Sequence, residues 1–412
     1  MAATEARAKA KAKTKTKPKT KSKPGTKTSA KTSAKTSEGL LLIADSAKDA
    51  DMLYATGMFV PDPFVHLRIG RQKIAVLSDL EIDRGKKALT GFEIVPLSEI
   101  VAEIAKTARN GKGSPSLAEV ALALLRRKGV KRVTVPGSFP LEFGDLLRKR
   151  GITVLTGGMP FFKSRLTKSE DEVAKIRESQ EATEAAMAAA IETIRGAEIR
   201  GDALYAGGAP LTSERLREVI AVALFARGCV AADTIVAGGI QGCDPHEVGS
   251  GPLPANAPII LDIFPRSMRT GYFGDMTRTV VRGRASDKVK RMFAAVLEGQ
   301  EIAFRMIRAG AAGLPIHKAI TKRFEELGFP TGVIGGRMQG FFHGTGHALG
   351  LEIHEPPRIS KVAATLRAGM VMTVEPGLYY TDAGGMRLED IVVIRKDGCE
   401  NLNRYPKELE VN

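Results

Sequence analysis

Between residues 258 and 393 the chain concentrates side chains that bind cations or move protons. The run PIILDIF (258–264) is apolar except for Asp262. A carboxylate in such a run is costly unless it is paired or metal-bound. Asp275 follows in GYFGDMTRTVV, the next strand-like stretch. A hairpin of these two strands would present both carboxylates to one cavity. HGTGHALGLEIHEPP then carries His343, His347 and His354, three of the six histidines in the chain. Glu375 precedes the Pro-Gly turn of VMTVEPG, and Arg387 and Glu389 open the apolar strand MRLEDIVV. Singly, each has a plain structural explanation: Asp262 paired with an arginine, Glu375 capping a turn, Glu389 at a strand edge. Together, four carboxylates and one imidazole are the donor set for two hard-to-borderline divalent ions sharing bridging oxygens. Two cations would also stabilise that many acids in one apolar pocket.

Other chemistries lack their residues. His246-Glu247 is followed by Val-Gly-Ser, so there is no H-E-x-x-H. No Walker A loop and no G-x-S-x-G elbow occur, and the glycines around His347 do not follow the dinucleotide spacing. Cys229, Cys243 and Cys399 supply neither a disulfide framework nor a CxxC site, which fits a reducing compartment.

The elements that must position these residues read as alternating α/β. Strands are expected over 39–45, 63–69, 73–78, 131–136 and 152–155, and helices over 98–108, 116–127 and 141–150. Ser98 and Ser116 are N-cap residues. This makes an amino-terminal α/β domain over 39–160, whose single histidine, His66, reads as a core or rim residue. After a hinge near 157–168, Ser169-x-x-Glu172 is a capping box opening a helix that closes at Gly196. Further helices are expected over 212–227, 286–308 and 315–327, the last with His317 as a surface or packing residue. The second domain spans 161–412.

The net charge of +16 suggests a nucleic-acid binder until it is located. Residues 1–38 hold eleven lysines and Arg7 against Glu5 and Glu38, so that segment alone carries +10. Apart from Met1 and proline it has no apolar residue larger than alanine and is expected to be a disordered, solvated tail, with a polyanion-binding arm as the functional alternative. It is Lys-rich rather than Arg-rich and lacks an amphipathic period, unlike a mitochondrial transit peptide. No apolar run approaches the roughly 20 residues of a membrane-spanning helix, and no signal peptide opens the chain. A cytoplasmic protein without membrane contact is the expectation.

At GHALGLEIHE, TVEPG and RLED the chain strongly resembles the pita-bread metallopeptidases, the family of methionine aminopeptidase, aminopeptidase P and prolidase. The likeness runs from about 169 to 405, and the seven-residue step from His347 to His354 is part of it. The preceding segment, with DADMLYATG and PDPFVHLRIG, resembles the amino-terminal domain of the aminopeptidase P, prolidase and creatinase branch. The resemblance implies an α/β (α+β) pita-bread catalytic domain behind a smaller creatinase/prolidase-type domain. It implies five metal ligands: Asp262, Asp275, His347, Glu375 and Glu389. Asp275 and Glu389 would bridge two divalent ions, manganese first, with cobalt, zinc or iron also able to fill the site.

Further roles come with the resemblance. His246, in CDPHEVGSGPL, matches a pocket-lining histidine ahead of the first metal strand. His354 matches the histidine that bonds the scissile carbonyl or tetrahedral intermediate. His343 is typical of the aminopeptidase P and prolidase branch and is assigned to substrate binding or to support of the metal shell. Arg387 would hold a carboxylate ligand or contact substrate. The implied reaction is hydrolysis of a short peptide near its amino terminus, most of all an Xaa-Pro bond. It would use a metal-bridging water, Glu375 as proton shuttle and His354 as oxyanion donor. The branch also implies a homodimer. One departure is that Asp262 and Asp275 are thirteen residues apart, longer than the common family step, with Arg266 and Arg269 in the extra turn. These read as a solvent-facing turn, or as a clamp on a peptide carboxylate. Two alternatives stand beside the peptidase. A binding protein on the same fold would use the basic tail but would typically have lost ligands. Creatinase-like chemistry does not use this full metal set.

Overall fold

The computed structural model describes residues 37–107 and 114–412. Residues 1–36, most of the segment read as a tail, lie outside them, as does Ala108 at the end of an expected helix.

The apolar runs of the amino-terminal part assemble into one six-stranded sheet. Its strands are β1 (Ser37–Ala44), β2 (Phe64–Ile69), β3 (Gln72–Leu77), β4 (Phe92–Pro96), β5 (Val130–Val135) and β6 (Thr153–Thr156). They lie in the order β4-β3-β2-β1-β5-β6. The three central strands pair antiparallel, and the outer ones add in parallel through helical crossovers. Helices on the sheet bury both of its faces, so β1 reads as a continuous run, LLLIA, rather than an alternating one. β1 begins two residues inside the segment read as tail, because Ser37 and Glu38 pair with Val130 and Arg132 of β5. Helices Leu97–Thr107, Leu117–Arg127 and Leu141–Lys149 match the expected ranges within a residue or two. Ser116 caps the second, but Ser98 lies inside the first helix and its hydroxyl donates to Asp79 Oδ1 at 2.7 Å instead of capping it. Two seven-residue helices, Ala50–Thr56 and Ile82–Ala88, were not anticipated: at two turns they are too short to establish a helical period. Asp49 caps the first, and Gly57 closes it with φ 67°, a left-handed conformation that favours glycine.

In the remainder, helix Glu170–Arg195 starts on the expected capping box and ends at Gly196. Helices Ser213–Phe225 and Asp287–Met306 start on Thr212 and Ser286 caps. Helix Gly313–Glu326 begins ahead of Pro315, because Ala312 bridges to Thr365 and the Gly313 N–H donates to Ala364 O, so tertiary contact sets its start.

Two sheets carry the acids and histidines. One is Ile235–Gly238, Ile259–Ile263 and Met276–Val280, all antiparallel. The other, in spatial order, is Glu355–Ile359, Gly346–Ala348, Val371–Val374, Asp390–Ile394 and Cys399–Asn401. They are stitched together where the Glu389 N–H donates to Thr277 O at 3.0 Å and the Thr279 hydroxyl donates to Arg387 O at 2.9 Å. Met187, Ile191 and Ile194 of the long helix pack on Leu261, Ile263 and Met276. Each fully buried side chain of this kind contributes about 1.5–3 kcal/mol. On the other side, Met292, Val296, Ile320 and Phe324 cover Met372, Val374 and Val392. The seam between these cores is the part of the fold that holds the acids. Among the described residues no helix is long and apolar enough to cross a membrane.

Candidate metal centre

The hairpin reading of Asp262 and Asp275 matches the observed pairing. Asp262 lies opposite Thr277 in register, and Asp275 is two residues before Thr277. A strand alternates faces at every residue, so both carboxylates belong to one face. They are buried, at 8% and 3% exposure. The long helix fixes Asp275 from behind: Gln180 Oε1 accepts its N–H at 2.9 Å. Gly274 permits that approach, since a Cβ there would come within 2.6 Å of Thr183 Oγ1.

His347 is set by a second close approach. A Cβ on Gly346 would lie 1.9 Å from Thr373 O, and the His347 N–H donates to Thr373 Oγ1 at 3.0 Å. The Ala348 carbonyl can only accept, so His347 Nδ1 donates to it at 3.2 Å and carries the proton. That leaves Nε2 with its lone pair free, 3.6 Å from Glu375 Oε1 and 3.8 Å from Asp275 Oδ2. This is the tautomer a metal-ligating histidine needs. The Glu375 N–H donates to Thr345 O at 2.7 Å, anchoring the turn, and Glu389 Oε2 accepts from Thr277 Oγ1 at 2.7 Å. One ligand atom each from Asp275, His347 and Glu389 lies within 4.8 Å of the others.

The electrostatics of the cluster favour bound cations. Burial pushes the Asp275 and Glu389 carboxyls well up, and the neighbouring acids push them further. Burial likewise raises Glu375, to about 7. His347 goes the other way, lowered by burial to about 3, so its imidazole is neutral. Asp262 Oδ1 is buried with no hydrogen-bond partner. An orphaned carboxylate oxygen, crowded acids and a bare imidazole nitrogen in one place fit divalent metal ions.

Behind this cluster runs a buried hydrogen-bonded chain. Arg387 Nη2 donates to Asp262 Oδ2 at 2.6 Å, its Nε to Thr277 Oγ1 at 3.2 Å, and its Nη1 to the Tyr379 hydroxyl at 3.0 Å. His343 Nδ1 donates to Gly344 O at 2.7 Å, so its Nε2 accepts from the Tyr379 hydroxyl at 2.9 Å. Burial lowers the His343 pKa to about 3 and raises that of Tyr379 to about 12, which keeps both neutral. With both ring nitrogens engaged by protein, His343 in this arrangement supports the Arg387–Asp262 pair. Arg387 itself holds a carboxylate, one of the two roles the resemblance allowed.

A cavity of about 490 Å³ opens over the cluster. The nine residues given site roles line it: His246, Asp262, Asp275, His343, His347, His354, Glu375, Arg387 and Glu389. The His354 ring stands edge-on to His347, with centroids 4.5 Å apart. Arg266 and Arg269 do not line the cavity. Arg266 donates to Ala47 O at 2.6 Å and to Gly271 O at 3.1 Å, and Arg269 pairs with Glu178. Neither is placed to clamp a carboxylate in the cavity: half-buried Arg266 ties the turn to the amino-terminal part, and Arg269 faces the long helix.

Three residues escaped the sequence reading. Thr277 and Tyr379 are uncharged and belong to no motif, and only the strand pairing reveals that they touch Glu389 and Arg387. Arg358 lines the cavity, is exposed and has no ion-pair partner among the described residues. Its signal was a lone arginine in HEPPR, four residues after His354.

A mixed α/β body with buried acids and a neutral imidazole around one cavity has the donors of a divalent-metal site. The chain matches the family model of metallopeptidase family M24 over residues 174–396, and it belongs to that family. It is 30% identical over 297 residues to an Xaa-Pro dipeptidase of Pyrococcus horikoshii, covering 68% of this chain and 76% of that one. Its fold is similar to an X-Pro aminopeptidase of Thermotoga maritima, with TM-score 0.73, 23% identity and coverage of 91% and 97% of the two chains. It is also similar to an Xaa-Pro dipeptidase of Bacillus anthracis, with TM-score 0.74, 24% identity and coverage of 90% and 94%. At these identities the two structures speak for the pita-bread fold alone. The protein is thus a divalent-metal-dependent metallopeptidase.

Proposed function

We propose that this metallopeptidase hydrolyses Xaa-Pro bonds of short peptides. The observation that carries the reading is the convergence of Asp275, His347 and Glu389 to within 4.8 Å under a cavity that Asp262 and Glu375 also line. The name of the Pyrococcus relative supplies the substrate class. Asp262, Asp275, His347, Glu375 and Glu389 would hold two divalent ions, and manganese is our first choice for an oxygen-rich set with one imidazole. Bound ions of this kind act as Lewis acids and make water a nucleophile near neutral pH.

The chain's own residues do the rest. His354 donates to the substrate carbonyl oxygen as charge develops on it. Glu375 passes a proton to the departing nitrogen. His246 lines the wall, and the Tyr379–His343 pair keeps Arg387 on Asp262. Arg358, a guanidinium without a partner, is suited to a substrate carboxylate, which favours dipeptides. The same proposal includes an amino-terminal domain to about residue 160, a homodimer, a cytoplasmic location without membrane contact, and a weak polyanion contact through residues 1–38.

The test is hydrolysis by the metal-reconstituted protein of an Xaa-Pro dipeptide, an Xaa-Pro tripeptide and a Met-Ala peptide. Cleavage of the Xaa-Pro peptides, fastest for the dipeptide, is expected. Cleavage of none, with metal bound, would favour a binding protein on this fold.

A further inference from the structure

His354 is held by an indirect route. Among the described residues its ring makes no hydrogen bond, only the edge-on contact with His347. Its place therefore depends on the loop that carries it. That loop wraps around the carboxylate of the next residue, Glu355, which is 3% exposed. Glu355 Oε1 accepts the N–H of Leu351 at 3.1 Å and of Glu352 at 3.3 Å. Lys168 Nζ donates to its Oε2 at 2.8 Å, and Arg165 Nη2 to its Oε1 at 2.7 Å. The loop begins at Gly350, where a Cβ would lie 2.9 Å from both Glu355 Oε1 and Lys168 Cε. A larger residue there would have to displace the carboxylate or the lysine.

The two cations come from the connector between the six-stranded sheet and the long helix. Arg165 also reaches Asp51 of helix Ala50–Thr56 at 2.8 Å and Glu352 at 2.6 Å, while its own side chain is 3% exposed. The Lys168 N–H donates to Gly369 O at 2.7 Å, so the lysine sits on a fixed backbone. Burial alone would raise the Glu355 pKa, but the Lys168 and Arg165 charges hold it below the ordinary carboxylate range. A fully bonded, buried carboxylate of this kind has one place to be.

We propose that Arg165 and Lys168 are positioning residues for the hydrolysis: by clamping Glu355 they hold the 350–355 loop, and with it the His354 ring, over the cavity. The inference rests on the reading of His354 as the group that meets the substrate oxygen. It links the amino-terminal helix Ala50–Thr56, through Asp51 and Arg165, to a group that acts in the transition state. Neither cation lines the cavity.

The test is a double-mutant cycle between Lys168→Met and His354→Ala, read as kcat and KM on an Xaa-Pro dipeptide, with metal content measured for each variant. A displaced donor costs about ten- to hundredfold in rate, so Lys168→Met alone should lower kcat by about tenfold or more with KM and metal content little changed. In the His354→Ala background the same substitution should cost less than about twofold. Equal losses in both backgrounds, or no loss in either, would overturn the proposal. If His354→Ala alone leaves kcat unchanged, the reading of His354 fails instead, which the single variant shows by itself. Should Lys168→Met not fold, the cycle run with Arg165→Lys decides. That variant keeps the charge but cannot bridge Asp51 and Glu355 together, and it should show the same coupling to His354.

Discussion

Arg387 donates to one oxygen of Asp262 at 2.6 Å, while the other oxygen of that carboxylate is buried without a partner. The arginine does not replace the metal. It holds one oxygen and leaves the second without a partner, on a residue that lines the same cavity as the other acids. Asp262→Ala should therefore abolish tight metal binding and hydrolysis together. Metal analysis after gel filtration, alongside the peptide assay, checks this, and full activity in the variant would sink the dinuclear reading.

Substitution of Arg358, which lines the cavity, tests whether the site prefers dipeptides to longer peptides. A hydrogen bond to a charged group is worth about 1.5–3 kcal/mol, or about ten- to hundredfold in an equilibrium constant. If Arg358 holds the carboxylate of a dipeptide, Arg358→Ala should raise KM for an Xaa-Pro dipeptide by that factor. The tripeptide, with its carboxylate elsewhere, should be affected by less than about threefold. Equal effects on both substrates would remove Arg358 from substrate recognition.

Tyr379 is the hinge of the buried chain, donating to His343 Nε2 at 2.9 Å and accepting from Arg387 Nη1 at 3.0 Å. Tyr379→Phe keeps the ring and orphans both partners, and each buried orphan costs about 1–3 kcal/mol. Urea unfolding should therefore show a loss of about 2–6 kcal/mol, with metal still bound. A wild-type midpoint would mean that the chain carries no stability.

The acids and histidines that line the cavity were legible as a cluster because most of them stand in short runs with a local signal, and the family resemblance gave them their roles. An acid in an apolar strand, or three histidines in fifteen residues, announces itself. The long helix was legible for the same reason, through Ser169 and Glu172. What stayed hidden depends on pairing between distant strands. Thr277 matters because it faces Asp262 across the hairpin and reaches Glu389. Glu355 carries no signal of its own in HEPP, because its partners Arg165 and Lys168 lie nearly two hundred residues earlier in the chain. The start of β1 at Ser37 likewise depends on β5, far along the chain.

That start sets the safe truncation point. Removing residues 1–36 leaves β1 whole, and hydrolysis of a short Xaa-Pro peptide should be unchanged. Retention on a heparin column should fall with the loss of the lysines, and the retention of the full chain should weaken steeply with salt. A dead truncated enzyme would overturn the separate-tail reading. Removal through residue 44 takes a central strand from the sheet and should yield no folded protein.

His66 predicts how stability responds to acid. It lies in β2 at 2% exposure, with Nδ1 donating to Ile74 O at 3.0 Å and its ring against Phe92. Burial lowers its pKa from 6.5 to about 4, so the native state holds it neutral. At pH values above 6.5 both states are neutral and His66 adds no pH dependence. As pH falls below that value the unfolded chain takes up a proton that the native state refuses, so stability drops until the native group also titrates near pH 4. The loss attributable to His66 reaches about 3 kcal/mol at the bottom of that window. His66→Asn keeps a donor near the Nδ1 position and does not titrate. Urea unfolding of both proteins at about pH 7 and about pH 4.5 should show a smaller acid loss in the variant, by about 2–3 kcal/mol. Parallel slopes would show that the imidazole takes up its proton without cost and that its burial does not govern the acid limb.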